Sequence, residues 1–458
     1  MKLLVQEGVD YWFYLSPKVY VVSKENIFLY HTESGARLEV TEEHIKDLLR
    51  TVYEPKNLGV VEFPQELWEQ EGAQALMEQM LSLHMAGLMP MDREKGKPIN
   101  FLPILNLQKD VDKAMSMGEL SLVVDDLLSY LSRLTLCLGG GRLCSSYLSR
   151  ACREEENNWI SPNLLYSLLE QARHSRLKQV GLYADSLFLH PQIKEILGLL
   201  ESYEYDYQLW MSANHYLQHQ GEIKMCLRSM KGICHLSLLA SATELEDLAR
   251  MSEVDVQLFS WHFLIEDEMQ YARVEQFTER WGIVQSELVP IYTGDNLPFF
   301  EEYIYLSEDD IFSEPIEMRR IFCNQKLNSN DFGALTVLPT GECRVSMNTP
   351  PLGNLLQSSL LEILYKELTT NTAWRKTRNS GKCQKCIFQY LCPPPSSYEQ
   401  VIGREDLCRL PLLAYHSCDH SPYTTSWMPW TVGLHAFVWW LSTMGRATSW
   451  TPYASTPI

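Results

Sequence analysis

The fold of this chain is set by an alternation that begins at LSRLTLCL (131–138) and PNLLYSLLEQARHS (162–175). The first stretch is strand-like, whereas the apolar residues of the second recur with the spacing of an amphipathic helix. Six such units predict an α/β domain over 115–312, with a parallel sheet closed or partly closed into a (β/α)6 barrel. The other five strand-like runs are LKQVGLYA (177–184), YQLWMSA (207–213), HLSLLAS (235–241), VDVQLFSWHF (254–263) and GIVQSELVPIY (282–292).

The residues before this alternation, 1–100, have the pattern of a small α+β unit. YWFYLSPKVYVVSKENIFLYHTESGARLEV (11–40) contains β-rich runs, and the turn residues Glu33-Ser34-Gly35 separate the last two as in a hairpin. Helical spacing follows in TEEHIKDLLRTVYE (41–54) and in PQELWEQEGAQALMEQMLSLHMAGL (64–88).

Composition and charge exclude several classes of protein. Hydrophobic residues make up 45% of the chain, which is enough for each part to bury a core. A net charge of −19 provides no basic surface to displace phosphate counterions, so no nucleic-acid partner is expected, whereas a cationic peptide partner is compatible. Glu7 and Asp10 interrupt the first apolar run before it reaches the length of a signal peptide, which predicts a cytoplasmic protein with reduced cysteines.

Four cysteines have the spacing of metal ligands. In KCQKCIFQYLCPPP (382–395), two residues separate Cys383 from Cys386, five separate Cys386 from Cys392, and Cys408 follows. A two-residue spacer lets one tight turn direct two sulfurs at one centre, and thiolates bind soft metals. Four sulfurs suit a [4Fe–4S] cluster or a Zn²⁺ ion, and spacing alone leaves both open.

The segments around these cysteines resemble the SPASM domain, which follows the barrel in peptide-modifying radical SAM enzymes. The resemblance rests on NTPPLGNLLQSS (348–359), Trp374, the cysteine run and SSYEQVIGREDLC (396–408). It implies a cysteine-rich iron–sulfur domain over 313–408 with one auxiliary [4Fe–4S] cluster. The ligands that it implies are Cys383, Cys386, Cys392 and Cys408.

The resemblance also implies that the family's other auxiliary cluster is lost. Ser346 and Ser396 stand where two of its cysteine ligands are expected. Cys343 lies three residues too early to replace one of them, and Cys323 has no partners left.

The barrel departs from both signatures of radical SAM chemistry. That family places Cys-x3-Cys-x2-Cys after its first strand, where three thiolates leave one iron open for S-adenosylmethionine. The matching positions here are Gly140, Cys144 and Tyr147, and the family's Gly-Gly-Glu-Pro reads Ala184-Asp185-Ser186-Leu187. No S-adenosylmethionine is therefore expected, although Cys137 and Cys152 leave an unusual first cluster open.

A barrel with a SPASM-like domain and no radical site resembles the pseudo-radical-SAM proteins, in particular the family of the GG-Bacteroidales peptide-maturation system. The resemblance implies a non-catalytic partner in ribosomally synthesised peptide (RiPP) biosynthesis. Its implied partners are a precursor peptide and a true radical SAM maturase. Two alternatives stay open, namely an active radical SAM/SPASM peptide-modifying enzyme with an unusual first cluster and a zinc-stabilised peptide-binding protein.

Residues 1–100 are similar in layout to winged-helix peptide-recognition modules, which bind a leader peptide as an added strand. The predicted edge strand is IFLYH, that is Ile27, Phe28, Leu29, Tyr30 and His31, and the alternative is a plain capping domain for the barrel. In the barrel, four polar or aromatic residues near strand ends are expected to be satisfied wall residues rather than catalysts. They are Asp185, His215, Trp261 and His262.

The tail, 409–458, differs from the rest of the chain. SWMPWTVGLHAFVWWLSTM (426–444) is uncharged and just reaches the minimum length of a membrane span. Pro429, Gly433 and His435 interrupt it, so a span is not expected and the segment is interpreted as an atypical tail.

Overall fold

The structure is a computed structural model of the whole chain. It describes residues 9–92, 94–103, 111–118, 126–139, 158–183, 189–229, 234–242, 244–252, 256–284, 286–371 and 373–410. The described residues divide into two compact units. The N-terminal unit comprises the described residues of 1–108, 311–326 and 378–393, and the sheet unit comprises those of 109–310, 327–377 and 394–410.

The strands belong to three sheets. In chain order they are β1 (Tyr11–Leu15), β2 (Val19–Ser23), β3 (Ile27–His31), β4 (Arg37–Val40), β5 (Val60–Glu62), β6 (Ala86–Pro90), β7 (Arg133–Cys137), β8 (Gln179–Tyr183), β9 (Asp206–Ser212), β10 (Cys234–Ser241), β11 (Ser260–Ile265), β12 (Ser286–Pro290), β13 (Ala334–Val337), β14 (Glu342–Arg344) and β15 (Gly353–Asn354).

The helices separate most of these strands. They are α1 (Glu43–Val52), α2 (Glu71–Ser82), α3 (Val111–Met117), α4 (Leu127–Tyr130), α5 (Pro162–Ala172), α6 (Ile193–Glu201), α7 (Ala213–Ser229), α8 (Leu245–Leu248), α9 (Glu268–Trp281), α10 (Leu297–Tyr303), α11 (Glu308–Ile311), α12 (Met318–Lys326), α13 (Leu360–Lys366) and α14 (Ser397–Ile402). No helix among the described residues is long and apolar enough to cross a membrane, and the stretch 426–444 lies outside those residues.

The sheet unit is built on one nine-stranded sheet in the order β12-β11-β10-β9-β8-β7-β13-β14-β15. The six strands predicted from the sequence, β7 to β12, are all parallel and lie side by side in chain order, with a helix in each connection. The predicted parallel α/β architecture is therefore confirmed. Beyond β7 the sheet continues through the parallel β13 and then the antiparallel β14 and β15.

The two faces of this sheet differ in chemistry. One face carries aliphatic residues such as Leu134, Leu136, Val180, Leu182 and Leu209, which are buried against the helices. Because side chains alternate along a strand, the residues between them point to the opposite face. This second face, called the inner face below, carries polar and aromatic side chains instead, among them Thr135, Tyr183, Gln208, Trp210 and His262.

Gly139 directs the chain away from the end of β7. Its φ is +98°, and a Cβ at this position would lie only 1.8 Å from the carbonyl oxygen of Asn158. The close approach comes from an antiparallel bridge between Gly139 and Trp159, so only glycine fits.

The N-terminal unit has two three-stranded antiparallel sheets, ordered β5-β1-β6 and β2-β3-β4. Their shared core includes Phe13, Leu29, Ile45 and Met77. The predicted α+β character of 1–100 is thus observed. The segments 311–326 and 378–393 belong to the same compact unit, so the stretch 313–408 is divided between the two units.

The sheet order corrects one prediction. The stretch Ile27–His31 is the central strand of its sheet, paired with β2 on one side and β4 on the other. An incoming peptide cannot add a strand there, because both sides of the backbone are already hydrogen-bonded. The edge strands of this sheet, among the described residues, are β2 and β4.

Candidate metal-binding loop

The cysteine run forms a compact loop in the N-terminal unit. Residues Cys383–Lys385 make one 3₁₀ turn, in which the backbone N–H of Cys386 donates to the carbonyl oxygen of Cys383 at 3.1 Å. This turn is the local consequence of the two-residue spacer. Cys392 is buried at the end of the loop, whereas Cys383 and Cys386 are partly exposed.

Two sulfurs of the loop accept hydrogen bonds. The backbone N–H of Phe388 donates to Sγ of Cys386 at 3.3 Å, and Nη1 of Arg378 donates to Sγ of Cys383 at 3.7 Å. In iron–sulfur sites, hydrogen bonds to the ligand sulfurs help to set the properties of the cluster. The donor set of the loop therefore fits a thiolate-bound metal in its chemistry.

Arg378 also ties the two ends of the loop together. It is buried, and its Nε donates to the carbonyl oxygen of Pro393 at 2.5 Å. Gln389 lies inside the loop and its amide donates to the carbonyl oxygen of Arg378 at 2.8 Å and to Oδ1 of Asn379 at 3.0 Å. The loop is therefore held closed by side chains that are not cysteines.

Asn324, on α12, is a loop-holding residue that sequence reasoning missed. Its side chain is 3% exposed, and its Nδ2 donates to the carbonyl oxygens of Tyr390 and Cys392, both at 3.0 Å. A single asparagine in a helix carries no sequence signal of this role. In the sheet unit, Asn328 and Asn330 bind the carbonyl oxygens of Pro394 and Pro395 in the same way.

The loop packs on the N-terminal sheet through aromatic side chains. The ring of Phe388 meets the ring of Phe28 at 5.2 Å and the ring of Phe312 at 5.1 Å, both edge to face. Nζ of Lys24 donates to the carbonyl oxygen of Gln384 at 2.9 Å. The N-terminal sheet and the cysteine loop therefore share one packed interior.

This packing occupies the residues that were predicted to bind peptide. Phe28 is covered by Phe388, and the hydroxyl of Tyr30 accepts a hydrogen bond from the backbone N–H of Ile316 at 2.7 Å. All five side chains from Ile27 to His31 are buried. Nδ1 of His31 accepts from the backbone N–H of Ser34 at 3.2 Å, and burial lowers the pKa of that imidazole.

The four predicted metal ligands are not assembled around a point. In the part of the chain that the structure describes, no three His, Cys, Asp or Glu side chains lie close enough together to hold a metal ion. Cys383, Cys386 and Cys392 share the loop, whereas Cys408 belongs to the sheet unit, where it forms a parallel bridge with Leu306. Metal binding at these thiols therefore remains a prediction.

Two residues that the resemblance relates to the other auxiliary cluster, Ser396 and Cys343, have structural roles. Ser396 caps α14, and its backbone N–H and hydroxyl both donate to Oε2 of Glu399 at 2.5 Å. Cys343 is fully buried on β14, where burial raises the pKa of its thiol to about 12. The side chain is packed into the hydrophobic core of the sheet unit.

The residues near strand ends that the sequence singled out fall into different settings. Trp261 is buried among Phe263 and Phe277, and its indole N–H donates to the carbonyl oxygen of Val256 at 2.9 Å, so it is a satisfied wall residue as predicted. His262 lies on the inner face, with Nδ1 2.8 Å from Oε2 of Glu287. His215 is buried beside His219.

The positions that would decide on radical chemistry lie outside the described residues. They are Gly140, Cys144, Tyr147 and Cys152 after β7, and Ala184, Asp185, Ser186 and Leu187 after β8. The proposed loss of the first cluster is therefore untested.

Comparison with known proteins identifies no family for this chain. No family model matches it, and no curated protein is a detectable relative. Solved structures with a related arrangement include SuiB of Streptococcus suis bound to S-adenosylmethionine, with 12% identity over 87% of this chain and 99% of that chain and a TM-score of 0.40.

Two further solved structures give comparable or lower scores. SuiB bound to its precursor peptide SuiA has 10% identity, the same coverage and a TM-score of 0.38. BtrN in complex with AdoMet and 2-DOIA has 11% identity over 57% of this chain and 92% of that chain, with a TM-score of 0.28. Identities and scores this low do not indicate what this chain binds or does.

Proposed function

We propose that this chain is a non-catalytic, pseudo-radical-SAM partner in the maturation of a ribosomally synthesised peptide. It holds one [4Fe–4S] cluster through Cys383, Cys386, Cys392 and Cys408. The observation that supports the metal best is the pair of hydrogen bonds to loop sulfurs, from Phe388 to Cys386 and from Arg378 to Cys383. Hydrogen bonds to ligand sulfurs are a common feature of thiolate metal sites, and both of these bonds go to proposed ligands.

Three of the four proposed ligands lie on the cysteine loop, and Cys408 completes the proposed set. A closed loop that is held by Arg378, Gln389 and Asn324 keeps three of them on one short segment, which limits the entropy lost when the metal binds. Metal binding then supplies folding free energy to residues 380–408. When bound, such a cluster would fix the loop or pass electrons.

The acidic charge of the chain supports a cationic peptide as partner. The chain has 58 acidic and 39 basic residues, so a basic peptide would be attracted and an acidic one repelled. In the N-terminal unit, strand addition would use an edge strand such as β2 or β4, since the central β3 is already paired on both sides. Precursor peptide and maturase are thus the proposed partners.

Anaerobic purification, a visible absorption spectrum and metal analysis test the proposal together. The expected result is a brown protein with about four irons per chain that does not cleave S-adenosylmethionine. A colourless protein with one zinc per chain would instead support the zinc-stabilised alternative. Eight or more irons with cleavage of S-adenosylmethionine would show an active radical enzyme and contradict the non-catalytic assignment.

A further inference from the structure

The inner face of the nine-stranded sheet contains a row of contacting rings. Tyr183 and Trp210 are register neighbours on β8 and β9, and their rings stack at 4.8 Å between centroids with planes 11° apart. The ring centroid of His262 on β11 lies 4.1 Å from the ring centroid of Trp210. The opposite face of β8 and β9 is packed with aliphatic side chains, so polar rings on this face call for a different explanation.

Two nitrogens in this row are buried and have no partner. Nε1 of Trp210 and Nε2 of His262 each have almost no exposed surface, and neither makes a hydrogen bond in the part of the chain that the structure describes. The side chain of His262 is 8% exposed. Buried polar atoms in proteins are nearly always hydrogen-bonded, so two neighbouring unpaired nitrogens are a feature that calls for a partner group.

The contact with Glu287 determines whether Nε2 of His262 donates or accepts a hydrogen bond. Oε2 of Glu287 lies 2.8 Å from Nδ1, so in the neutral form of the ring the proton is on Nδ1 and Nε2 carries a lone pair. The neighbouring indole of Trp210 is a donor only. The two nitrogens therefore present one acceptor and one donor on contacting rings.

A primary carboxamide matches this pair. Its N–H and its C=O lie on the same edge, so it can donate to one nitrogen and accept from the other. A trans peptide bond cannot, because its N–H and C=O point in opposite directions. We infer that Trp210 and His262 form a binding site for a primary carboxamide, namely the side chain of Asn or Gln in a peptide.

This inference rests on the proposed function in one respect, namely that the ligand is a peptide. The probe is therefore Gly-Gln-Gly, which needs neither precursor nor cluster. The full chain labelled with 5-fluorotryptophan reports on it by ¹⁹F NMR, and the resonance that disappears in Trp210→Phe belongs to Trp210. Trp281 is an internal control, since its Nε1 is also buried and unpaired among the described residues but lies on α9.

Gly-Gln-Gly should shift the Trp210 resonance saturably and leave the Trp281 resonance in place. The matched probe, with the γ-methyl ester of glutamate in place of Gln, keeps the acceptor but lacks the donor. It should bind at least about 10-fold more weakly, because Nε2 of His262 stays unpaired. His262→Leu should weaken Gly-Gln-Gly by a similar factor and remove the preference between the two probes.

Equal binding of the two probes by the unmodified chain would overturn the site, as would an unmoved Trp210 resonance. In either case the two nitrogens pair with ordered water only. The comparison of probes uses the unmodified chain, so it decides the matter even if His262→Leu fails to fold. If Gly-Gln-Gly does not bind, only the carboxamide site is refuted and the metal proposal stands. If the chain binds Gly-Gln-Gly but no iron, only the metal proposal is refuted.

Discussion

The ring of Phe388 packs edge-on against the ring of Phe28, with 5.2 Å between centroids and planes 73° apart. One residue belongs to the cysteine loop and the other to the central strand of an N-terminal sheet. The contact means that the proposed metal loop and the proposed peptide module stabilise each other. It also means that deleting residues 1–100 would expose the apolar side of the loop, so point substitutions are the sharper test of either part.

Phe388→Ala should loosen both partners of this contact. The side chain is 8% exposed and touches two other aromatic rings, so its removal should cost about 3 kcal/mol. Hydrogen exchange should speed up in the loop 383–392 and in β3 together. Phe101→Ala is the control, because Phe101 is 84% exposed and its loss should change neither region. Faster exchange in the loop alone would show that the two parts are not coupled.

Asn324→Leu should destabilise the loop without touching a cysteine. The substitution leaves the carbonyl oxygens of Tyr390 and Cys392 without their shared donor, at a cost of about 2–4 kcal/mol. Chemical denaturation followed by cysteine labelling would measure it, with earlier labelling of Cys392 expected. Asn26→Leu loses one partly buried bond to Glu39 and should cost about 1 kcal/mol or less. Equal effects of the two substitutions would remove the special role of Asn324.

Glu367 should make stability fall as pH rises towards neutrality. The carboxyl is 1% exposed in a π-helical turn, Glu367–Asn371, and accepts a hydrogen bond from the backbone N–H of Trp374 at 2.6 Å. Burial raises the pKa of this carboxyl to about 7, from an ordinary value of 4.5. Because the folded pKa is the higher one, its favourable contribution is complete below about pH 4.5 and is lost as pH rises through about 7.

The matching substitution is Glu367→Gln, which keeps the side-chain oxygen and removes the charge. It should stabilise the chain at pH 8 by up to about 3 kcal/mol and have little effect at pH 4.5. Urea unfolding at the two pH values measures the difference. A stabilisation that is the same at both would show that the carboxyl does not titrate in this range.

The parallel sheet could be predicted from the sequence because its signal is local. Each strand-like run and each following helix has its own periodicity, and β7 to β12 then pair in chain order. The central position of Ile27–His31 was missed, although VYVVS precedes it and ARLEV follows it, because a strand-by-strand reading does not establish which neighbours pair.

The contacts that shape the candidate site could not be predicted, because they join distant segments. Phe28 and Phe388 are far apart in the chain, and neither has a neighbour that indicates the other. Asn324 acts through backbone carbonyls, which every residue has, so no partner residue type reveals it. The cysteine spacing, in contrast, is local and visible, but it does not say whether the thiols meet.

Iron bound per chain in Cys386→Ser and Cys323→Ser, both purified anaerobically, tests the central claim most directly. Cys386 is a proposed ligand that accepts a hydrogen bond from Phe388, whereas Cys323 lies on α12 in the same unit and is not a proposed ligand. The account predicts that Cys386→Ser loses the cluster and that Cys323→Ser keeps about four irons. Full iron in Cys386→Ser, or its loss only in Cys323→Ser, would contradict the account.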